Sequence, residues 1–184
     1  MLRIADQAFP FEETQFLAYV SPGQAGWQVT WRFEFQGIQR EIDGADWRPK
    51  VSSHVLEVAF PPLLELPGFG VELALSEDEE PPFILYVFEH EPLLNGRVEF
   101  GAWNAGKIHF LLVGTADVLA EEKYGAELPV QIECELPFDG VVVDEGHVEK
   151  AEEKFARFFE RQQFASPERH ENGGFHFRLR ARNA

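Results

Sequence analysis

Trp27-Gln28-Val29-Thr30-Trp31-Arg32-Phe33-Glu34-Phe35-Gln36 is the stretch that decides the fold. Each odd position is large and apolar, and each even position is polar or hydroxylated. Strict alternation over these ten residues predicts a strand with one buried and one wet face, because successive strand side chains point to opposite sides. The same period recurs downstream. Val130, Ile132, Cys134 and Leu136 alternate with Gln131, Glu133 and Glu135, and Phe175, Phe177, Leu179 and Ala181 alternate with His176, Arg178, Arg180 and Arg182. Shorter apolar runs at 54–60, 69–75, 83–88, 97–103 and 107–114 are predicted strands as well. The run Ile108-His109-Phe110-Leu111-Leu112-Val113 is so apolar that it reads as a central strand covered on both faces.

Turn chemistry separates these runs. Ser21-Pro22-Gly23 precedes the Trp27 strand and Asp43-Gly44 follows it. Asn95-Gly96 opens another strand, and Asn104-Ala105-Gly106 predicts a tight hairpin, because these residues tolerate positive φ. One long amphipathic helix is predicted at 146–164, with Asp144 as its N-cap and Val148, Ala151, Phe155, Phe158, Phe159 and Gln162 at helical spacing. Pro167 marks its end. A shorter helix at 116–124, capped by Asp117, is expected too. Many strands, one long helix and a final strand make an α+β layout. The expectation is a largely antiparallel sheet or β-sandwich with the helix on one face, formed as a single domain over 1–184. A subdivision near 89–96 is the alternative organisation.

Composition bounds the function. The 184 residues are 45 % hydrophobic and 14 % aromatic, with 18 Phe against 3 Tyr, which excludes a disordered chain. There are 32 acids against 16 bases, a net charge of −16. Such a surface argues against general affinity for nucleic acid or anionic membranes. Residues 1–146 carry 26 acids against 8 bases, whereas 147–184 carry 6 against 8. The acidity therefore belongs to the β-rich body. A single cysteine, Cys134, excludes an internal disulfide and fits a reducing compartment. With no secretory signal and no long apolar run, a cytoplasmic setting is expected.

Catalytic motifs are thin. The chain has no G-x-S-x-G, no phosphate-binding G-x-x-x-x-G-K-[ST], no G-x-G-x-x-G and no H-E-x-x-H. No catalytic residue, metal set or cofactor is assigned. Cys134 lies on the apolar side of its strand, where a thiolate is disfavoured. Among the six histidines, His109 stands out, because a buried imidazole needs a partner. Glu133 and Glu135 share a strand face about 6.5–7 Å apart, a spacing any E-x-E strand provides. The acidic run at 77–80 reads as a solvated loop. Trp47 and Trp103 sit at turns, where an exposed indole can stack on a sugar. Arg178, Arg180 and Arg182 read as a row that offsets acids on a neighbouring strand, with the Glu133/Glu135 strand the expected neighbour. Their alternative is a site for a carboxylate or phosphate.

The expected function is non-catalytic binding of a basic protein partner through an acidic surface, as in a bacterial toxin-immunity protein. The alternatives are a small-molecule or carbohydrate-binding β-sandwich module, or an enzyme of unfamiliar type. The residues singled out for binding are Trp47, Trp103, His109, Arg178, Arg180 and Arg182.

Overall fold

The computed structural model describes residues 1–53, 63–73, 81–119 and 123–180. The expected strand at 54–60 with His54, the acidic run at 77–80, and Ala181 and Arg182 lie outside the described residues.

Strands β1 (Leu2–Ile4) and β2 (Gln7–Phe9) lead into a long hairpin, β3 (Phe11–Gly23) and β4 (Gly26–Gly37). Then come β5 (Arg40–Ile42), β6 (Ala45–Trp47), β7 (Lys50–Ser53), β8 (Gly70–Leu73), β9 (Phe83–Tyr86) and β10 (His90–Pro92). A second long group, β11 (Leu94–Asn104), β12 (Lys107–Ala116) and β13 (Leu128–Pro137), precedes β14 (Gly140–Val143). Helix α1 (Val148–Phe155) and strands β15 (Glu168–Arg169) and β16 (Phe175–Phe177) follow.

One sheet has six strands in the order β2-β1-β13-β12-β11-β8, and the other has eight, β10-β9-β7-β4-β3-β14-β16-β15. β5 and β6 form a separate ribbon. The described pairings are antiparallel except that of β14 with β3, which is parallel. The sheets face each other through phenylalanine rings. Phe33 on β4 lies 5.2 Å from Phe110 on β12, and Phe35 lies 5.2 Å from the same ring. Phe16 on β3 reaches Phe100 on β11 at 6.2 Å. The odd positions of the Trp27 stretch supply this layer as expected: Trp31, Phe33 and Phe35 are buried, and Trp27 and Val29 half-buried.

Chain passage between the sheets occurs at Phe138-Asp139. The Asp139 carboxylate accepts a hydrogen bond from the Phe16 amide at 2.9 Å, and the Asp139 amide donates to the Phe16 carbonyl at 2.9 Å. Gly140 then lets β14 slide in beside β16. Its φ is +132°, and a Cβ there would meet the Phe177 carbonyl oxygen at 2.4 Å, so only glycine fits.

The helix is shorter than its periodicity predicts. It spans Val148–Phe155, begins after an uncapped His147 rather than at Asp144, and buries Ala151 and Phe155. Beyond it the Phe158 and Phe159 amides both return to the Phe155 carbonyl, and Glu160 turns extended. Tertiary packing overrides propensity here. Phe164 is fully buried against Phe155 and Phe138 and bridges Leu179, which pulls the 160–164 segment off the helix axis. Phe155 stacks on Phe177 at 4.2 Å, so α1 covers the end of the eight-stranded sheet on the side where the six-stranded sheet covers its middle. The final strand is also short: β16 stops at Phe177. No helix forms in the described part of 116–124; Asp117 instead accepts the Glu127 amide at 2.7 Å.

Because Phe155 is buried and Phe158 is 37 % exposed, their truncations should differ. Phe155→Ala is expected to cost about 3–5 kcal/mol in chemical denaturation, and Phe158→Ala no more than about 0.5 kcal/mol. Equal losses would place both rings in the same environment and contradict this packing.

Candidate functional site

The residues singled out from sequence do not converge. Trp47 is 3 % exposed and forms a core pad, stacked on Phe9 at 6.2 Å and edge-on to Phe88 at 5.7 Å and Tyr124 at 4.9 Å. It cannot serve as a stacking platform for a sugar. Trp103 is half-buried against the core at the far end of β11, and the indole N–H groups of both tryptophans are buried without an acceptor among the described residues. His109 is not enclosed. β12 alternates, with Ile108, Phe110 and Leu112 buried inward and His109, Leu111 and Val113 half-exposed on the outer face. The His109 side chain is 40 % exposed and its Nε2 lies 3.3 Å from Glu133 Oε1. The pair occupies an open sheet face, not a cleft. Cys134 points inward, and burial pushes its thiol up to about 11.

The arginine row is broken. β16 lies between β14 and β15, while the Glu133/Glu135 strand, β13, lies between β1 and β12 in the other sheet. The two strands are therefore not neighbours. Arg178 instead reaches Glu168 of β15 at 3.7 Å. Because the strand has ended, Arg180 turns away and donates from Nε to the Phe164 carbonyl at 2.9 Å. Arg182 lies outside the described residues.

Two constellations formed by the fold were not legible as sites. The first surrounds His176, which is 7 % exposed. Its Nε2–H donates to the Asp139 carbonyl at 2.9 Å, and the His170 ring stands edge-on at 5.7 Å. Burial first, and then Arg178, hold the imidazole below its ordinary pKa, outweighing its hydrogen bond to Asp139. The Asp139 carboxyl is raised, chiefly by burial. This is a clamp on the crossover between the sheets.

The second is an acidic end. Here the β5–β6 ribbon, the 87–91 turn and residues 123–124 meet. Asp43 and Gly44 adopt positive φ of 51° and 77° to turn the ribbon. Lys123 Nζ donates to the Asp43 carbonyl at 2.9 Å, and Trp47 fills the space beneath against Phe88 and Tyr124. Glu41 and Asp46 stand directly opposite each other across the ribbon, both exposed. Glu91 is raised by burial and then by the charges of Asp117 and Glu89. On the sheets and the helix several acids do have cations: Glu34 has Arg32 and Lys50, Glu99 has Arg97, Glu12 has Arg48 and Glu153 has Arg157. At this end Glu41, Asp43, Asp46, Glu89, Glu91 and Asp117 have no ion-pair partner among the described residues. The local cations are committed to neutral oxygens. Arg40 donates to the Ala8 carbonyl at 2.6 Å, and Lys123 to the Asp43 carbonyl and the Tyr124 hydroxyl. Among the described residues no three His, Cys, Asp or Glu side chains converge to hold one metal ion, so the carboxylates present a spread surface.

Comparison with known proteins adds no family: no family model, no curated protein and no solved structure matches this chain. Among the described residues no helix is long and apolar enough to cross a membrane.

Two outcomes follow from these environments. Trp47→Phe removes a buried N–H that has no acceptor, so its cost should stay below about 1.5 kcal/mol, against about 3–5 kcal/mol for Trp47→Ala. A Phe variant as damaging as the Ala variant would mean that the indole N–H is bonded. For His176 the folded pKa is depressed, so its contribution to stability is present above its ordinary pKa near 6.5 and lost as pH falls through the folded value. Wild-type thermal stability should therefore drop more steeply than that of His176→Gln as pH is lowered below about 6.5. Parallel curves would show that the imidazole titrates alike in both states.

Proposed function

We propose that the protein is a non-catalytic binding protein whose acidic end engages a basic protein partner, the part a toxin-immunity protein plays toward a basic toxin. One observation carries this reading: the carboxylates at that end are set against one another, Glu41 directly across from Asp46 and Glu91 close to Asp117 and Glu89, with no cation paired to them among the described residues. Like charges directly opposite across a ribbon destabilise it. Glu41 facing Asp46, and Glu91 beside Asp117 and Glu89, are arrangements that folding alone does not favour. A lysine- or arginine-bearing surface relieves both at once. The net charge of −16 adds long-range attraction, which raises the encounter rate with a basic partner. Because the Debye length is about 8 Å at physiological salt, the final docking rests on the local carboxylates. Their ribbon is held by buried rings beneath, which limits the ordering cost of binding.

The test compares two charge-matched quadruple variants of the full chain binding a lysine- and arginine-rich peptide, followed by calorimetry at low and moderate salt. Glu41→Gln with Asp46→Asn, Glu91→Gln and Asp117→Asn should weaken binding at least about 10-fold. Glu72→Gln with Glu99→Gln, Glu133→Gln and Glu135→Gln removes the same charge from the outer face of the six-stranded sheet, and should weaken it no more than about 3-fold. Equal losses would show that only net charge matters and would overturn the localisation to this end.

A further inference from the structure

We infer that the groove beyond the C-terminal end of α1 is a binding site for a small organic oxyanion, a carboxylate or phosphate joined to a flat apolar group. The groove is an open concavity of ≈ 930 Å³ lined by residues 156–162 together with Arg180. That volume falls in the range of small-molecule sites. It is independent of the acidic end and lies in the one part of the chain where bases outnumber acids.

A single carbonyl builds the site. Phe164 O accepts from Arg161 Nη1 at 2.7 Å and from Arg180 Nε at 2.9 Å. Two guanidinium groups are thereby held side by side, and like charges so close repel unless an anion lies between or beside them. Arg161 has one carboxylate, Glu152 at 3.3 Å, and Arg157 has Glu153. Arg180 has no carboxylate among the described residues, and its Nη groups make no hydrogen bond there. The one acid lining the groove does not neutralise it: Glu160 accepts from the Gln163 and Gln162 amides at 2.7 and 3.4 Å instead. Arginine presents a planar fork of donors that matches a carboxylate or phosphate edge. Beside the fork, Phe158 is 37 % exposed and Phe159 half-buried, giving the groove an apolar wall for the rest of the ligand. The helix end itself carries partial negative charge and disfavours an anion, so the guanidinium groups must supply the attraction. A concavity elsewhere on the molecule shows the contrast. It is lined by residues 68–72 with Arg97, Glu99 and Phe100, and its arginine is already bound to Glu99 at 2.7 Å and Glu72 at 3.4 Å.

The experiment titrates the isotope-labelled full chain with phenyl phosphate, benzoate, inorganic phosphate and benzyl alcohol, and follows the arginine Nε–H resonances. Phenyl phosphate or benzoate should shift Arg180 and Arg161 saturably while leaving Arg97 in place, and benzyl alcohol should shift none. Whichever acid binds more tightly identifies the oxyanion. Arg180→Gln should weaken binding at least about 10-fold, the change expected for one charge-assisted hydrogen bond, and Arg180→Lys should recover only part of it. Phe158→Ala should bring phenyl phosphate down to the affinity of inorganic phosphate. Glu160→Gln removes the opposing charge without touching the Phe164 carbonyl, and should strengthen binding about 2–3-fold. This variant keeps the test decisive should the Arg180 variants unfold. Uniform shifts at Arg97 and Arg180, or an affinity unchanged by Glu160→Gln, would overturn the proposal.

Discussion

Phenylalanine ring packing between the two sheets is the interaction on which the rest of the molecule depends. Phe33 touches Phe16 on its own sheet at 4.6 Å and Phe110 on the other at 5.2 Å, so one ring joins strands remote in sequence. Phenylalanine brings large area without a hydroxyl that needs a partner, which explains how an interior this aromatic carries few polar obligations. The layer continues beyond the six-stranded sheet through Phe138 to Phe164, Phe155 and Phe177. Helix and second sheet thus perform the same task on one inner face.

With twice as many acids as bases, some carboxylates must go without a cation, and the fold decides which. The strands assign theirs both along and between strands: Arg32 to Glu34 and Arg97 to Glu99 two residues apart on one strand, Lys50 to Glu34 and Arg97 to Glu72 from one strand to the next. At the acidic end Arg40 and Lys123 are spent on carbonyls that fix the ribbon, so position is secured there and charge is left over. The opposite imbalance arises at Phe164, where two cations serve one carbonyl. Both candidate surfaces originate in the same competition between backbone oxygens and carboxylates for too few cations.

Period-two stretches made β4, β13 and the start of β16 legible, and Ala105-Gly106 the β11–β12 hairpin, because each rule acts within a few residues, whereas β3 and the β5–β6 ribbon carry no such alternation and were not legible. Nor was the extent of α1. Phe155, Phe158, Phe159 and Gln162 keep a spacing that suits a helix, yet Phe164 just beyond them is claimed by Phe138 and Leu179 from outside the segment. His109 looked buried because its strand is apolar, but Leu111 and Val113 beside it are half-exposed too. The arginine alternation held only to Phe177, after which Arg180 answered to Phe164. The clamp at Asp139 and the meeting of Glu41 with Asp46 required knowing which distant segments come together, and no local pattern encodes that.

β14 lies between β3 and β16, and the Asp139 carboxylate beside it holds an amide 123 residues away in sequence. The centre of the eight-stranded sheet therefore stays incomplete until β14 and β16 have been made. During synthesis the β3–β4 hairpin must wait with one edge of β3 unpaired, and its apolar rings have no opposite layer until β11 and β12 emerge. Late closure of so distant a contact is the slow kind of folding step, because loop entropy is lost before the pairing returns it. For this protein the vulnerable interval is in its making: a chain halted before Gly140 exposes a β-strand edge that the finished molecule never shows.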